Sequence, residues 1–242
     1  MRSMAGQEAH EHHFVPEFLL RPWCVEGLLL GYWWDDRRGE LACKRKGTRG
    51  FCWQLDLLTL RSHSLGRDAL EKVFFGDIDT KGAKARDRLL AGGPRNLNAD
   101  QRCDFARLLL SLDARRRATV SDLRATGPRQ IAESLDDDPE ILAAMEDEGL
   151  AGAPSSYIEQ LGMHLEDRAL GTIQGLVDNP TIGGRLINAL WHLVRLGAFD
   201  GSLVLSDRPL IRLGSYEDPG AAWLLPLTPQ VVSCSPFGRG LS

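Results

Sequence analysis

VEGLLLGYWWDDRRGELACKRKGTRGFCW, residues 25–53, sets an apolar run, a polar turn and a second short apolar run in succession, the pattern of a β-hairpin. Tyr32, Trp33 and Trp34 favour a strand because flat rings pack well on a pleated surface, and Asp35 to Gly39 supplies turn chemistry. The Arg-Gly pairs beyond imply a loop. Downstream the period changes. DALEKVFF, GAKARDRLLAGG, NADQRCDFARLLLSLDARRRATVSDLRATG, DPEILAAMEDEGL and SSYIEQLGMHLEDRALGTIQGLV repeat apolar residues at three and four, which predicts helices across 67–198. Asn98 is placed to cap a helix starting near Ala99, Gly127-Pro128 to stop it, and Pro139 to occupy the first turn of another. RLINALWHLVRLGAF reads as a further helix ending near Gly197.

The pattern then turns β-like again in SLVLSDRPLIRL and AAWLLPLTPQVVSCSPFG, where prolines 209, 226, 229 and 236 keep strands short. Strands at both ends with helices between them predict an α+β fold. A mostly helical middle segment would pack on a small mixed or antiparallel sheet, to which the N-terminal hairpin and the C-terminal strands both contribute. We expect one domain over 1–242, with an extended segment and hairpin at 12–62, helices at 67–198 and strands at 202–234. No unit of 20 to 50 residues repeats, which excludes a solenoid.

The 29 basic and 33 acidic side chains give a net charge of −4, so no whole-chain field favours nucleic acid or an anionic membrane. No run approaches the roughly 18 apolar residues of a spanning helix, and the opening MRSMAGQEAHEHH lacks the apolar stretch of a secretory signal. Five scattered cysteines without a Cys-x-x-Cys pair are neither a disulfide framework nor a zinc knuckle. We therefore expect a reducing cytoplasm and no membrane. Phosphate-binding glycine loops, nucleophile elbows and His-Glu-x-x-His are absent.

Several residues can carry chemistry. His13, Pro16 and Arg21 lie within ten residues on a segment that Pro16 stiffens, so His13 is a candidate base, proton donor or metal ligand and Arg21 an anion holder. The plain alternative is a structural hydrogen bond from His13. Asp207, in Ser206-Asp207-Arg208-Pro209 after SLVL, is either a functional carboxylate on a loop or a turn former. Glu71, Asp77 and Asp79 around FFGDID would hold a divalent cation if the fold brought Asp207 or His13 near, or else merely complement a helix dipole. Arg115, Arg116 and Arg117, with Arg107 and Arg124, form a basic stripe that either meets the phosphates of a nucleic acid or is a solvated face. Arg185 and His192 would share a helix face as in some helical ribonucleases, but the terminal strands argue against that class.

HHFVPEFLLRPW, residues 12–23, resembles the opening of the bacterial family called domain of unknown function 4238, which typically begins His-His-Tyr-Val-Pro-x-Phe-x-Leu-Arg-x-Phe. The family continues with strand-turn-strand, acidic helices, a Ser-Asp-x-Pro element and a Pro-Leu-Ser/Thr-Pro element, which LVLSDRPLI and LLPLTPQ match, so the resemblance spans about residues 12–232. It directs attention to His13, Pro16, Arg21, Ser206, Asp207 and Pro209. Of the family's paired glutamates on the first helix, Glu71 stands for one, and the second falls at Asp79 with a one-residue shift. Two functions follow as expectations. One is a hydrolase of phosphodiesters, nuclease-like and dependent on a divalent metal such as Mg²⁺ or Mn²⁺. His13, Arg21 and Asp207 would be catalytic, Glu71, Asp79 and Asp207 would bind metal, and Arg115 and Arg116 would bind phosphate. The other is a non-catalytic binding or regulatory module in which the same polar motifs are structural.

Overall fold

The computed structural model describes residues 10–197, 201–215, 217–218 and 220–237. Within the N-terminal segment, β1 (Glu11–His13) leads into a one-turn helix, α1 (Glu17–Leu20), which Pro16 precedes in extended geometry. β2 (Leu29–Asp35) and β3 (Glu40–Lys46) form the expected antiparallel hairpin, closed where Asp35 accepts from the amides of Arg37 and Arg38. β4 (Trp53–Leu55) then returns to pair with β1, matching His12 to Gln54 and His13 to Trp53.

A π-helical stretch, Leu70–Phe75, runs without interruption into α2 (Gly76–Gly92). Asn98 caps α3 (Ala99–Ala114), its side chain accepting from the Gln101 amide while the Gln101 side chain accepts from the Asn98 amide. The next helix, α4 (Arg117–Asp136), departs from expectation twice. The break comes at Arg115–Arg116, where Arg116 is extended, and Gly127-Pro128 lies inside the helix instead of ending it. Packing outweighs propensity here: a Cβ on Gly127 would sit 2.6 Å from that of Ala169, so the glycine lets α4 lie directly on a later helix. α5 (Pro139–Asp147) begins with Pro139 in its first turn and Asp138 as its cap. SSYIEQLGMHLEDRALGTIQGLV splits into α6 (Pro154–Gln160) and α7 (Leu165–Val177), with Gly162 at φ +77° between them.

α8 (Pro180–Asn188) stops nine residues short of Gly197, and WHLVR is a strand, β5 (His192–Arg195). Arg102 of α3 fixes this change of direction, donating to the carbonyls of Ile187 and Ala189 while lying 4.4 Å above the Trp191 ring. Arg185 and His192 thus belong to different elements. β6 (Ile211–Leu213), β7 (Ala222–Thr228) and β8 (Val231–Pro236) complete a four-stranded antiparallel sheet ordered β5-β8-β7-β6.

The class is α+β, but its strands fall into three small antiparallel sheets, and the hairpin does not share one with the C-terminal strands. The segment 201–210 is irregular, so Asp207 does not follow a strand; the Trp23 indole ties this segment to the N-terminus by donating to the Leu203 carbonyl at 2.8 Å. The main core gathers Leu19, Ile78, Phe105, Leu108, Ile173 and Leu225, all essentially inaccessible to water. No helix among the described residues is long and apolar enough to cross a membrane.

Candidate functional site

Alternation along β1 sends its two histidines to different surroundings. His12 is buried, and its Nδ1 accepts from the Leu58 amide at 2.8 Å while Nε2 lies 3.3 Å from Asp68 Oδ1. An imidazole nitrogen that accepts an N–H carries no proton, so neutral His12 holds its hydrogen on Nε2 and donates it to Asp68. Burial pushes the His12 pKa down against the opposing pull of Asp68. Burial would raise Asp68, but bonds from His10, Lys72 and His12 outweigh it and hold this carboxyl well below the usual carboxylate range. His10, His12 and Asp68 offer ligand atoms within 4.8 Å of one another, a grouping that could receive a metal ion. The tautomer argues against it: Nε2 of His12 is already a donor, and freeing it would break the Leu58 bond. We read this cluster as the lock between β1 and the segments at 56–58 and 68.

His13 lines a different place. Together with Pro16, Glu17, Arg21, Glu71 and Asp79 it borders a polar hollow of about 350 Å³. The His13 backbone N–H donates to Glu71 Oε1 at 3.2 Å. Two further atoms of this pair, His13 Nε2 and Glu71 Oε2, are sealed from solvent without any hydrogen-bond partner. Unsatisfied buried polar atoms cost about 1–3 kcal/mol each, and two on adjoining residues of one hollow call for an explanation. Burial pushes the Glu71 carboxyl above its ordinary range, although Arg115 and the His13 amide pull it down. Glu17, by contrast, is held low because the Thr48 hydroxyl and Arg49 guanidinium both donate to it, outweighing its desolvation. Arg21, exposed on the rim, forms no ion pair among the described residues.

The π-helical stretch explains why Glu71 and Asp79 face the same hollow. On a plain α-helix, residues eight apart are turned well away from one another, whereas seven apart nearly eclipse. The π-turn from Leu70 to Phe75 absorbs one extra residue and so brings positions eight apart nearly into line. Asp79 is nevertheless engaged. Both its oxygens receive Arg115, at 2.6 and 3.0 Å, and Arg115 is itself fully buried over the Phe75 ring.

Other sequence candidates lie elsewhere. Arg115 has no exposed face to offer a phosphate, and Arg116 is turned back on Asp113. The rest of the stripe is neutralised in place, Arg107 by Asp178, Arg117 by Asp207 and Arg124 by Glu166. Asp207 therefore does not join Glu71 and Asp79. It pairs at 3.1 Å with Arg117, which lies 5.0 Å over Phe14; burial, helped by the Asp207 charge, pushes the nearby Cys52 thiol up to about 11. Asp77 pairs with Lys81 on the exposed side of α2. Sequence reasoning left open whether Glu17 faces a site, and it missed the His12–Asp68 lock. Consecutive histidines on an extended segment were the available signal for two roles, but nothing local links His12 to a carboxylate 56 residues away.

No curated protein and no solved structure matches the chain. A family model does, over residues 11–232, a span that includes the hollow, the His12–Asp68 pair of the lock and three strands of the C-terminal sheet complete. The chain thus belongs to DUF4238, a family of proteins of unknown function.

Proposed function

We propose that the hollow is the active site of a metal-dependent phosphodiester hydrolase of nuclease type. The observation that carries this reading is the pair of buried, partnerless atoms, His13 Nε2 and Glu71 Oε2, on two residues that line one polar hollow. The donors suit a hard divalent cation such as Mg²⁺ or Mn²⁺, which is commonly held by one or two carboxylates plus substrate phosphate and water. Glu71 would hold it through its free oxygen, with Asp79 on the border of the same hollow as a second acid. Such an ion, when bound, supplies positive charge against the phosphoryl oxygens and lowers the pKa of water.

The side chains supply the rest. Arg21 places a guanidinium on the rim, where a phosphodiester anion would be held and oriented. His13 takes a proton from the attacking water as its oxygen bonds to phosphorus. The bond from phosphorus to the departing oxygen breaks with its electron pair, and His13 returns the proton to that oxygen. Arg115 holds Asp79 stationary behind the site through two hydrogen bonds. The five cysteines are all free, in keeping with a reducing compartment.

The test is hydrolysis of bis(p-nitrophenyl) phosphate and of oligonucleotides with Mg²⁺ or Mn²⁺. His13→Ala and Glu71→Gln are expected to lower kcat by about 10²–10⁴ while circular dichroism stays unchanged. A binding module with purely structural motifs is favoured instead by the closed Arg115–Asp79 and Arg117–Asp207 pairs. It predicts no turnover by the parent, with both substitutions acting only on stability.

A further inference from the structure

The β2–β3 hairpin leaves one whole face without a partner. Register places Leu30, Tyr32 and Trp34 opposite Arg45, Cys43 and Leu41, so all six side chains share that face. Tyr32, Trp34 and Leu41 are each more than 60% exposed. Scattered apolar residues on a surface need no explanation, but a contiguous aromatic set does. The same hairpin reverses the charge of its surroundings. From Leu28 to Gly50 there are six basic and three acidic side chains, within a chain of net charge −4. Arg37, Lys44 and Arg45 form no side-chain ion pair among the described residues, unlike the arginines of the helical stripe. A basic, aromatic ribbon in an acidic protein is complementary to a polyanion with flat rings to stack.

We propose that this hairpin is a platform for single-stranded nucleic acid, with bases stacked on Tyr32 and Trp34 and phosphates held by Arg45 on the same face and Arg37 in the turn. Residues two apart on a strand are about 6.6 Å apart, nearly twice the 3.4 Å spacing along a duplex strand, so the two rings accept splayed bases and not stacked pairs. The ribbon is also connected to the hollow. β3 runs into the turn Thr48–Gly50, whose Thr48 and Arg49 both donate to Glu17 on the hollow's border. A strand gripped by the hairpin is thereby led toward His13. Capture stands on the hairpin's own features; only its purpose, delivering substrate, rests on the hydrolase reading.

Fluorescence anisotropy tests it with a fluorescein-labelled oligothymidylate of about twelve nucleotides, at about 20 mM salt, with EDTA to silence any cleavage. The parent should bind, with affinity falling as salt rises by about 0.7 log units per log unit for each phosphate contacted. Trp34→Ala and Tyr32→Ala should each weaken binding about fivefold or more, and Arg37→Ala/Arg45→Ala should flatten the salt slope. All four positions are exposed, and thermal melts confirm that the variants fold. A parent that binds the oligonucleotide in EDTA but fails to cleave it with Mg²⁺ or Mn²⁺ would refute the hydrolase alone and leave the platform standing. The platform is overturned if the parent shows no binding up to about 100 µM, if the aromatic variants bind equally well, or if duplex competes as strongly as single strand. It is likewise overturned if light scattering finds a dimer that Trp34→Ala dissociates without any change in binding, which would make the face a contact between copies.

Discussion

Two carboxylates three positions apart, Asp68 and Glu71, are tuned in opposite directions, and stability should record both. Glu71 is raised above the ordinary glutamate value near 4.5, so its contribution is fully present below that pH and is lost as pH rises through the folded value. Replacing it with Gln keeps the acceptor for the His13 amide and removes a buried charge. Glu71→Gln should therefore raise the melting temperature at pH 8, by about 2–4 °C for each kcal/mol relieved, while lowering the proposed hydrolysis. A lower melting temperature at pH 8 would contradict the burial argument. His12 titrates with the other sign. Its folded pKa is depressed, so its contribution is complete above about 6.5 and is lost as pH falls through the folded value. Asp68, also depressed, adds loss of the same sign below about 3.8. His12→Ala strands the Leu58 amide and one oxygen of Asp68. It should cost about 2–4 kcal/mol, lower the melting temperature by about 5–15 °C, and flatten the fall of stability below about pH 6.5. Melts across that range check it.

At the scale of elements, local chemistry was legible wherever a cap or turn decided the outcome. Asn98, Asp138 and the Asp35–Gly39 turn all act as their residue types imply. It failed where a distant partner decided. Gly127-Pro128 looks like a stop, but Ala169 on another helix rewards the missing Cβ. Gly127→Ala should accordingly destabilise by about 1–3 kcal/mol despite a helix propensity gain of about 1 kcal/mol, and a chemical denaturation curve would show which effect wins. WHLVR carries an apolar period that suits helix and strand alike, and the open edge of β8 settles it as a strand. The hairpin itself hangs on one close approach: a Cβ on Gly31 would fall 2.2 Å from the Phe51 ring. Gly31→Ala should speed amide exchange across 29–46 while leaving the helical circular dichroism intact, because two strands alone are only marginally stable.

Across the whole molecule, the class of fold was readable because strands and helices occupy different parts of the chain, and the arrangement of sheets was not. Pairing of β1 with β4 joins residues some 40 positions apart through three-residue strands, too short for any period to announce. The site was legible in part for the same reason. His13, Arg21, Glu71 and Asp79 do border one hollow, while Asp207 is held aside by Arg117 and Arg115 is spent on Asp79. Two places thus compete for a cation, the hollow and the His10–His12–Asp68 lock, and one titration separates them. Thermal shift with Mn²⁺ on the parent, Glu71→Gln and His10→Ala, each against its own metal-free baseline, reads RT ln(1 + [L]/Kd), about 2.7 kcal/mol at a hundredfold excess over Kd. A site at the hollow predicts that the parent and His10→Ala are stabilised by the ion and Glu71→Gln is not. A shift that survives in Glu71→Gln and disappears in His10→Ala, or no shift in the parent at all, would contradict it.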